Sequence, residues 1–277
     1  MSLTRSSTEW SSINDVGRVI RRRRLTPKHP NLRGRVWEPR DLDVLARAVA
    51  DLALGQWKHV ENLLAADTPW LPANASYAIE SAIKSLTVPP GHDPWHRDGW
   101  VFQLISWIAA VEARNGLVRV PQMDQASKGF DGLQLLTNRG RTRVKGAVVF
   151  EDKATDSPRQ TIRTEVWPSF AAMEAGDRDS ALAAEIASLL DRLPHVDSIL
   201  AVDRIMRDPG SRMYRVSITA GAYHARRNKL GNLFKGFEET VTGDRARRYA
   251  NILELDDLRP WMSALCARAV DLLERQR

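Results

Sequence analysis

The chain reads as an α/β protein, a central mixed sheet flanked by helices, with a helical accessory region ahead of it. Three observations predict this. From residue 97 onward the hydrophobic period runs helix, three strands, helices, then further strand, the alternation of a layered α/β domain. The break Pro89-Pro90-Gly91 divides a helical region over residues 1–90 from a domain over residues 91–277. No apolar run approaches the roughly 20 residues that cross a bilayer, so the 43% hydrophobic content is available for a globular core.

Taken in order, the first 40 residues are polar and basic. The run Arg21-Arg22-Arg23-Arg24, with Thr26, Pro27 and Pro30 after it, reads as a solvated arm, or as an arm lying along nucleic-acid phosphates. Over residues 41–54, Leu42, Leu45, Val49 and Leu52 recur at three- and four-residue spacing, which marks an amphipathic helix. Short helices follow over 57–66 and 74–86, the second with Asn74 as N-cap. Trp37, Trp57 and Trp70 read as core anchors of this region. Beyond the break, Phe102, Ile105, Ile108, Ala109 and Glu112 keep a helical period, with Gly116 as its C′ residue. Residues 117–121, 130–136 and 146–154 read as strands. Residues 158–173 read as a helix kinked at Pro168, and 179–193 as a clearer helix rich in Ala and Leu. Residues 198–205 and 213–219 read as strands joined through Asp208-Pro209-Gly210. A helix over 259–275 closes the chain.

The balance of charge narrows the partners. The net charge is +7 and the pI about 9.8, which favours an anionic partner, nucleic acid being the commonest. Arginine supplies most of the excess, and its planar fork suits phosphate. The single cysteine, Cys266, excludes an intrachain disulfide framework. Together with an N-terminus that lacks the apolar core of a secretory signal, it points to the cytoplasm. His92 and His96 lie four apart, but Pro94 between them argues against a zinc-binding helix. The chain carries no P-loop, no Gly-x-Ser-x-Gly elbow and no dinucleotide fingerprint.

One constellation carries chemistry. Strand side chains alternate faces, so Glu151 and Lys153 share one face of their strand and Asp152 takes the other. Asp131 begins the preceding strand. Neighbouring strands sit about 4.8 Å apart, so with ends in register Asp131 and Glu151 converge. Two converging carboxylates form a hard-oxygen site suited to Mg²⁺ (or Mn²⁺). A lysine beside them can orient or deprotonate a water and stabilise charge on a scissile phosphate.

The stretch resembles the PD-(D/E)XK nuclease superfamily, the restriction-endonuclease-like fold. That family's core runs helix, three strands, helix, strand, with an acid opening one strand and Glu-x-Lys in the next. Phe130-Asp131-Gly132 matches the first half and Glu151-Asp152-Lys153 the second, and the resemblance spans roughly residues 97–220. It implies that Asp131 and Glu151 hold the metal, with Asp152 a further ligand through its backbone carbonyl, and that Lys153 acts on the water or the developing charge. Many members also carry an acid on the first helix after an aromatic. Here Gly99-Trp100-Val101-Phe102-Gln103 puts Gln103 in that place, an accessory catalytic group, and makes a second metal doubtful. Glu112 is a substitute more than two turns further along. The helix after the lysine strand borders the active site in such enzymes, so Arg159, Gln160 and Arg163 are candidates for phosphate contacts. Arg226, Arg227 and Lys229, with Lys235, Arg245, Arg247 and Arg248 beyond them, read as a wall of the nucleic-acid groove.

The resemblance therefore implies a Mg²⁺-dependent endonuclease acting on nucleic acid, DNA rather than RNA. With no motor of its own, it would be held in check by a protein partner or a homo-oligomer, as in the effector nucleases of bacterial anti-phage defence. The alternatives are a non-catalytic nucleic-acid-binding subunit that keeps the fold, a stand-alone restriction endonuclease, and a basic scaffold subunit.

Overall fold

A computed structural model describes residues 19–25, 29–65, 76–123, 129–221, 224 and 230–277. Its framework is one mixed seven-stranded sheet in the order β1-β2-β7-β6-β5-β4-β3. The strands are β1 (Ile20–Arg24), β2 (Arg33–Pro39), β3 (Gly116–Val118), β4 (Gly132–Thr137), β5 (Val144–Lys153), β6 (Arg212–Gly221) and β7 (Arg248–Leu255). The central strands β5, β6, β7 and β2 run parallel, while β4, β3 and β1 are antiparallel to their neighbours. β5 and β6 are almost wholly buried, as parallel strands covered on both faces must be.

Helices make the two outer layers. On one face lie α1 (Leu42–Ala53), α2 (Trp57–Ala65), α3 (Ile79–Leu86), α4 (Trp95–Glu112) and α10 (Leu258–Glu274), sharing a core with Val148 and Phe150 of β5. On the other lie α5 (Pro158–Thr161), α6 (Trp167–Glu174), α7 (Asp179–Leu190), α8 (Ser198–Arg207) and α9 (Phe237–Thr240), around a second core that takes Ala147 and Val149. Alternate residues of one strand thus feed alternate cores. α1 starts where its cap dictates: the Asp41 carboxylate accepts from the N–H of Asp43 at 2.7 Å and of Val44 at 3.3 Å. Trp37 is buried, Trp57 packs at the margin of the first core, and Cys266 is buried as a small hydrophobe. Burial pushes the Cys266 thiol up to about 11.

Several expectations are corrected. Arg21–Arg24 belong to an edge strand, not a solvated arm, and β2 joins the sheet interior through β7. The arginines are tolerated because an edge strand presents one row of backbone groups to solvent, and charge there blocks edge pairing. Residues 42–65 and 76–86 share their core with α4 and α10, so the core does not divide at residue 90. Residues 198–205 form helix rather than strand: Asp197 caps α8 through the N–H of Leu200 at 3.0 Å, and Asp203 pairs with Arg207 one turn on. That cap and pair outweigh the β-branched residues that suggested a strand. β7 begins at Arg248, within the basic tract expected to wall a groove. Arg247 and Arg248 are buried, Arg247 bound to Glu174 at 2.7 and 2.9 Å and Arg248 to the carbonyls of Asn31, Val241 and Gly243, so neither walls a groove. The left-handed residue after α4 is Arg114, with φ 51°. Gly116 instead opens β3, where a Cβ would fall 1.8 Å from the Leu135 carbonyl oxygen. Trp70 and Asn74 lie outside the described residues.

Candidate active site

β4 begins at Gly132, opposite Phe150 of β5 in an antiparallel register. Asp131 therefore stands one residue before the ladder, level with Glu151. The chain leading to it is held by Arg119, whose guanidinium donates to the Phe130 carbonyl at 2.5 Å. Gly132 cannot be replaced freely, because a Cβ there would come within 2.3 Å of the Phe150 ring. Past the last backbone pair the Asp131 side chain continues the ladder: its Oδ2 accepts from the Asp152 N–H at 2.8 Å. Its Oδ1 accepts from Gln103 Nε2, on α4, at 2.8 Å. The glutamine that replaces the expected acid thus grips Asp131 directly.

Glu151 is buried on the α6 side of the sheet, its Oε1 receiving the Ser169 hydroxyl at 2.6 Å. Lys153 Nζ lies 3.6 Å from Glu151 Oε2 and 3.5 Å from Glu165 Oε2. The electrostatics follow from this crowding. Burial first, then Glu151 and Asp152, push the Asp131 carboxyl up to about 8, against the pull of Lys153. Burial alone would lower Lys153, yet Asp131, Glu151 and Glu165 together raise it. Lys153 is therefore a cation, suited to stabilising charge rather than taking a proton.

Asp152 faces the other way, as strand alternation requires. Its carboxylate is buried near α4, 3.6 Å from Arg215, whose guanidinium lies over the Phe150 ring at 3.2 Å. Burial raises the Asp152 pKa and Arg215 opposes that. Asp152 carries its side chain on the opposite face of the sheet from Glu151. Its backbone carbonyl leaves the strand by the same edge as its N–H, the edge where Asp131 sits.

The other expected residues divide. Arg159 donates to the carbonyls of Leu233 at 2.9 Å and Lys235 at 2.8 Å, so it ties down the 230–235 segment instead of offering a free guanidinium. Gln160 and Arg163 are exposed beside it. Arg226, Arg227 and Lys229 lie outside the described residues. Glu112 is no substitute for the missing acid: its carboxylate accepts from the N–H of Val19 at 2.6 Å and of Ile20 at 3.3 Å, holding the edge strand.

Sequence reasoning missed Glu165 and Ser169. Glu165 lies in, and Ser169 just after, a break in the regular α-helix. Residues Ile162–Val166 form a π-turn between α5 and α6, closed by the Trp167 N–H to the Ile162 carbonyl. Pro168, which lacks an N–H, lies immediately beyond. Pro168 was read as a kink, and the irregularity lies one turn before it. That was the available signal, since π-turns concentrate at functional sites.

Among the described residues no group of three or more His, Cys, Asp or Glu side chains is placed to hold a metal ion. The Asp131 and Glu151 carboxylates lie close enough to interact electrostatically, and strand geometry turns the Asp152 carbonyl toward the edge where Asp131 sits. They are hard oxygens, and a carboxyl pushed up to about 8 by burial and then by the charges of Glu151 and Asp152 is one whose ionised form a bound cation would favour. That donor chemistry fits Mg²⁺, with water completing the set. Compared with known protein families, with curated proteins and with solved structures, the chain matches none.

Proposed function

We propose that the chain is a metal-dependent nuclease of the restriction-endonuclease-like type, hydrolysing phosphodiester bonds in nucleic acid, DNA rather than RNA. The observation that carries this reading is the meeting of Asp131, Glu151 and Lys153 at one end of β4 and β5, with Asp131 and Glu151 close enough to raise the Asp131 pKa. The succession α4, β3, β4, β5, then α5 and α6 and later β6 supports it, being the order that resemblance implied. Mg²⁺ at the two carboxylates would polarise a phosphodiester and make a water more acidic. The chain's own groups do the rest. Asp131 is fixed by Gln103 and by the Asp152 N–H, Glu151 by Ser169, and Lys153 presents a positive charge to the phosphate, held between Glu151 and Glu165. Gln160 and Arg163, exposed on the helix that borders the site, contact the strand's phosphates. A basic protein of this kind would act as the effector of a bacterial defence system, under a partner's control.

The test is cleavage of supercoiled plasmid and of labelled oligonucleotides with Mg²⁺ or Mn²⁺. Glu151→Ala and Lys153→Ala should each lower the rate by about 10²–10³-fold, the usual worth of one charge-stabilising group, with EDTA abolishing cleavage. Salt-dependent binding without cleavage under any of these metals, unchanged by EDTA, would instead assign a non-catalytic binding subunit.

A further inference from the structure

The turn between β4 and β5, at the far end of β5 from Lys153, carries cations that the fold does not use. Arg139, Arg141, Arg143 and Lys145 are all exposed there, and none of them makes an ion pair or a side-chain hydrogen bond among the described residues. A shallow groove of about 170 Å³ separates this hairpin from α8. Arg143 and Lys145 line it on one side, and Val196, Leu200, Ala201 and Arg204 on the other. The inner side of α8 belongs to the core: Ile205 is buried, and Ala201, Val202 and Met206 pack against the same cluster. Its outer side still presents two adjacent aliphatic side chains, Ile199 at 79% and Leu200 at 67% exposed. The acids nearby are occupied. Asp197 caps α8, Asp203 pairs with Arg207, and Asp208 accepts from the Gly210 N–H and the Ser211 hydroxyl.

We infer that this groove docks an acidic segment of a partner protein, its carboxylates on the hairpin cations and an apolar side chain anchored against Ile199 and Leu200. Unpaired cations gathered on one surface are complementary to carboxylates or to phosphates. A phosphate backbone gains nothing from two exposed aliphatic side chains. A peptide with its own apolar residue buries them, which gives the apolar centre and charged rim of a protein interface. The volume of about 170 Å³ falls below the ~300 Å³ at which small-molecule pockets begin, so it suits a single anchoring side chain. β5 is ten residues long, which puts roughly 30 Å between the hairpin and Lys153 at about 3.3 Å per residue. A docked segment therefore leaves the carboxylate pair open. Docking here does not depend on the nuclease reading.

The experiment is fluorescence polarisation of the full chain in EDTA against four labelled probes. They are a helical peptide with leucines along one face and glutamates elsewhere, the same peptide with Lys for Glu, the same peptide with Ser for Leu, and a single-stranded oligonucleotide. The Leu–Glu peptide should bind at least about tenfold tighter than either altered peptide, and more weakly as salt is raised. Leu200→Ser and Arg143→Glu change exposed positions, so the thermal midpoint should hold while each weakens the peptide by about tenfold, the scale of one buried aliphatic side chain or one reversed contact charge. Lys84→Glu, an exposed charge reversal on α3 across the sheet, should leave binding unchanged. Five outcomes overturn the inference: no peptide binds; an altered peptide binds as tightly as the Leu–Glu peptide; only the oligonucleotide binds; either groove variant, folded by circular dichroism, binds as the parent does, or Lys84→Glu weakens binding as much; or sedimentation finds the chain paired with itself and Leu200→Ser separates the pair.

Discussion

Asp131 is the residue on which the site turns, and its titration gives a direct handle. Its folded pKa of about 8 lies above the unfolded carboxyl value of about 3.9. Proton binding therefore favours the folded state below pH 4, and that contribution is lost as pH rises toward 8. The metal-free protein should melt at progressively lower temperature across that window. Asp131→Asn should flatten the dependence and raise the midpoint at pH 8, read by thermal melts in EDTA. A slope unchanged in the variant would show that Asp131 is not the group. Gln103 makes the complementary prediction. Gln103→Glu removes a donor to Asp131 and adds a further negative charge, so it should destabilise the metal-free protein at pH 8 and enlarge the stabilisation produced by millimolar Mg²⁺. The Asp131–Glu151–Lys153 set could be read in the sequence because strand alternation and a shared strand end are local rules. The Gln103 contact was read only as a departure from a pattern, because the distance from α4 to β4 is set by packing.

At the level of elements, two joints position the site. Gly132 lets β4 approach Phe150 closely enough for Asp131 to reach the Asp152 N–H. Gly132→Ala forces the Phe150 ring away and should cost roughly 1–3 kcal/mol, the usual scale of overpacking, measured by denaturant unfolding. The π-turn before Pro168 sets the rotation of α6, and with it Glu165 and Ser169. Pro168→Ala restores a backbone donor and lets the turn relax toward regular helix. Cleavage should then fall while the thermal midpoint holds or rises, and a rate equal to the parent's would mean that the π-turn does not place these groups. Such joints are nearly silent in sequence. A π-turn differs from an α-turn by one hydrogen-bond register, and the apolar period around it barely changes.

For the whole molecule, the N-terminal segment is the point of contrast. Val36 and Trp37 of β2 are buried, and β2 pairs with β7 over five residues. Removing residues 1–40 should expose that edge and both cores, giving an aggregating protein with no cooperative melt. A detachable arm would leave the melt intact. The sheet also separates two chemistries. Glu151 and Lys153 lie on the α6 side with Ser169 and Glu165, while Asp152 and Arg215 lie on the α4 side. Among the described residues no helix is long and apolar enough to cross a membrane.

By itself the sequence determined the α/β class, the existence of most helices and of β3 to β6, and the face on which Glu151, Lys153 and Asp152 each point. These follow from periods of two and 3.6, which need no knowledge of neighbours. Only the tertiary structure decided that the arginine-rich N-terminus is a strand, that residues 198–205 are helix and that Arg248 begins β7. It alone decided that Glu165 and Ser169 complete the site. In each case the outcome depends on a partner distant in the chain or on a single cap, and a charged segment carries no periodic signal that could reveal either.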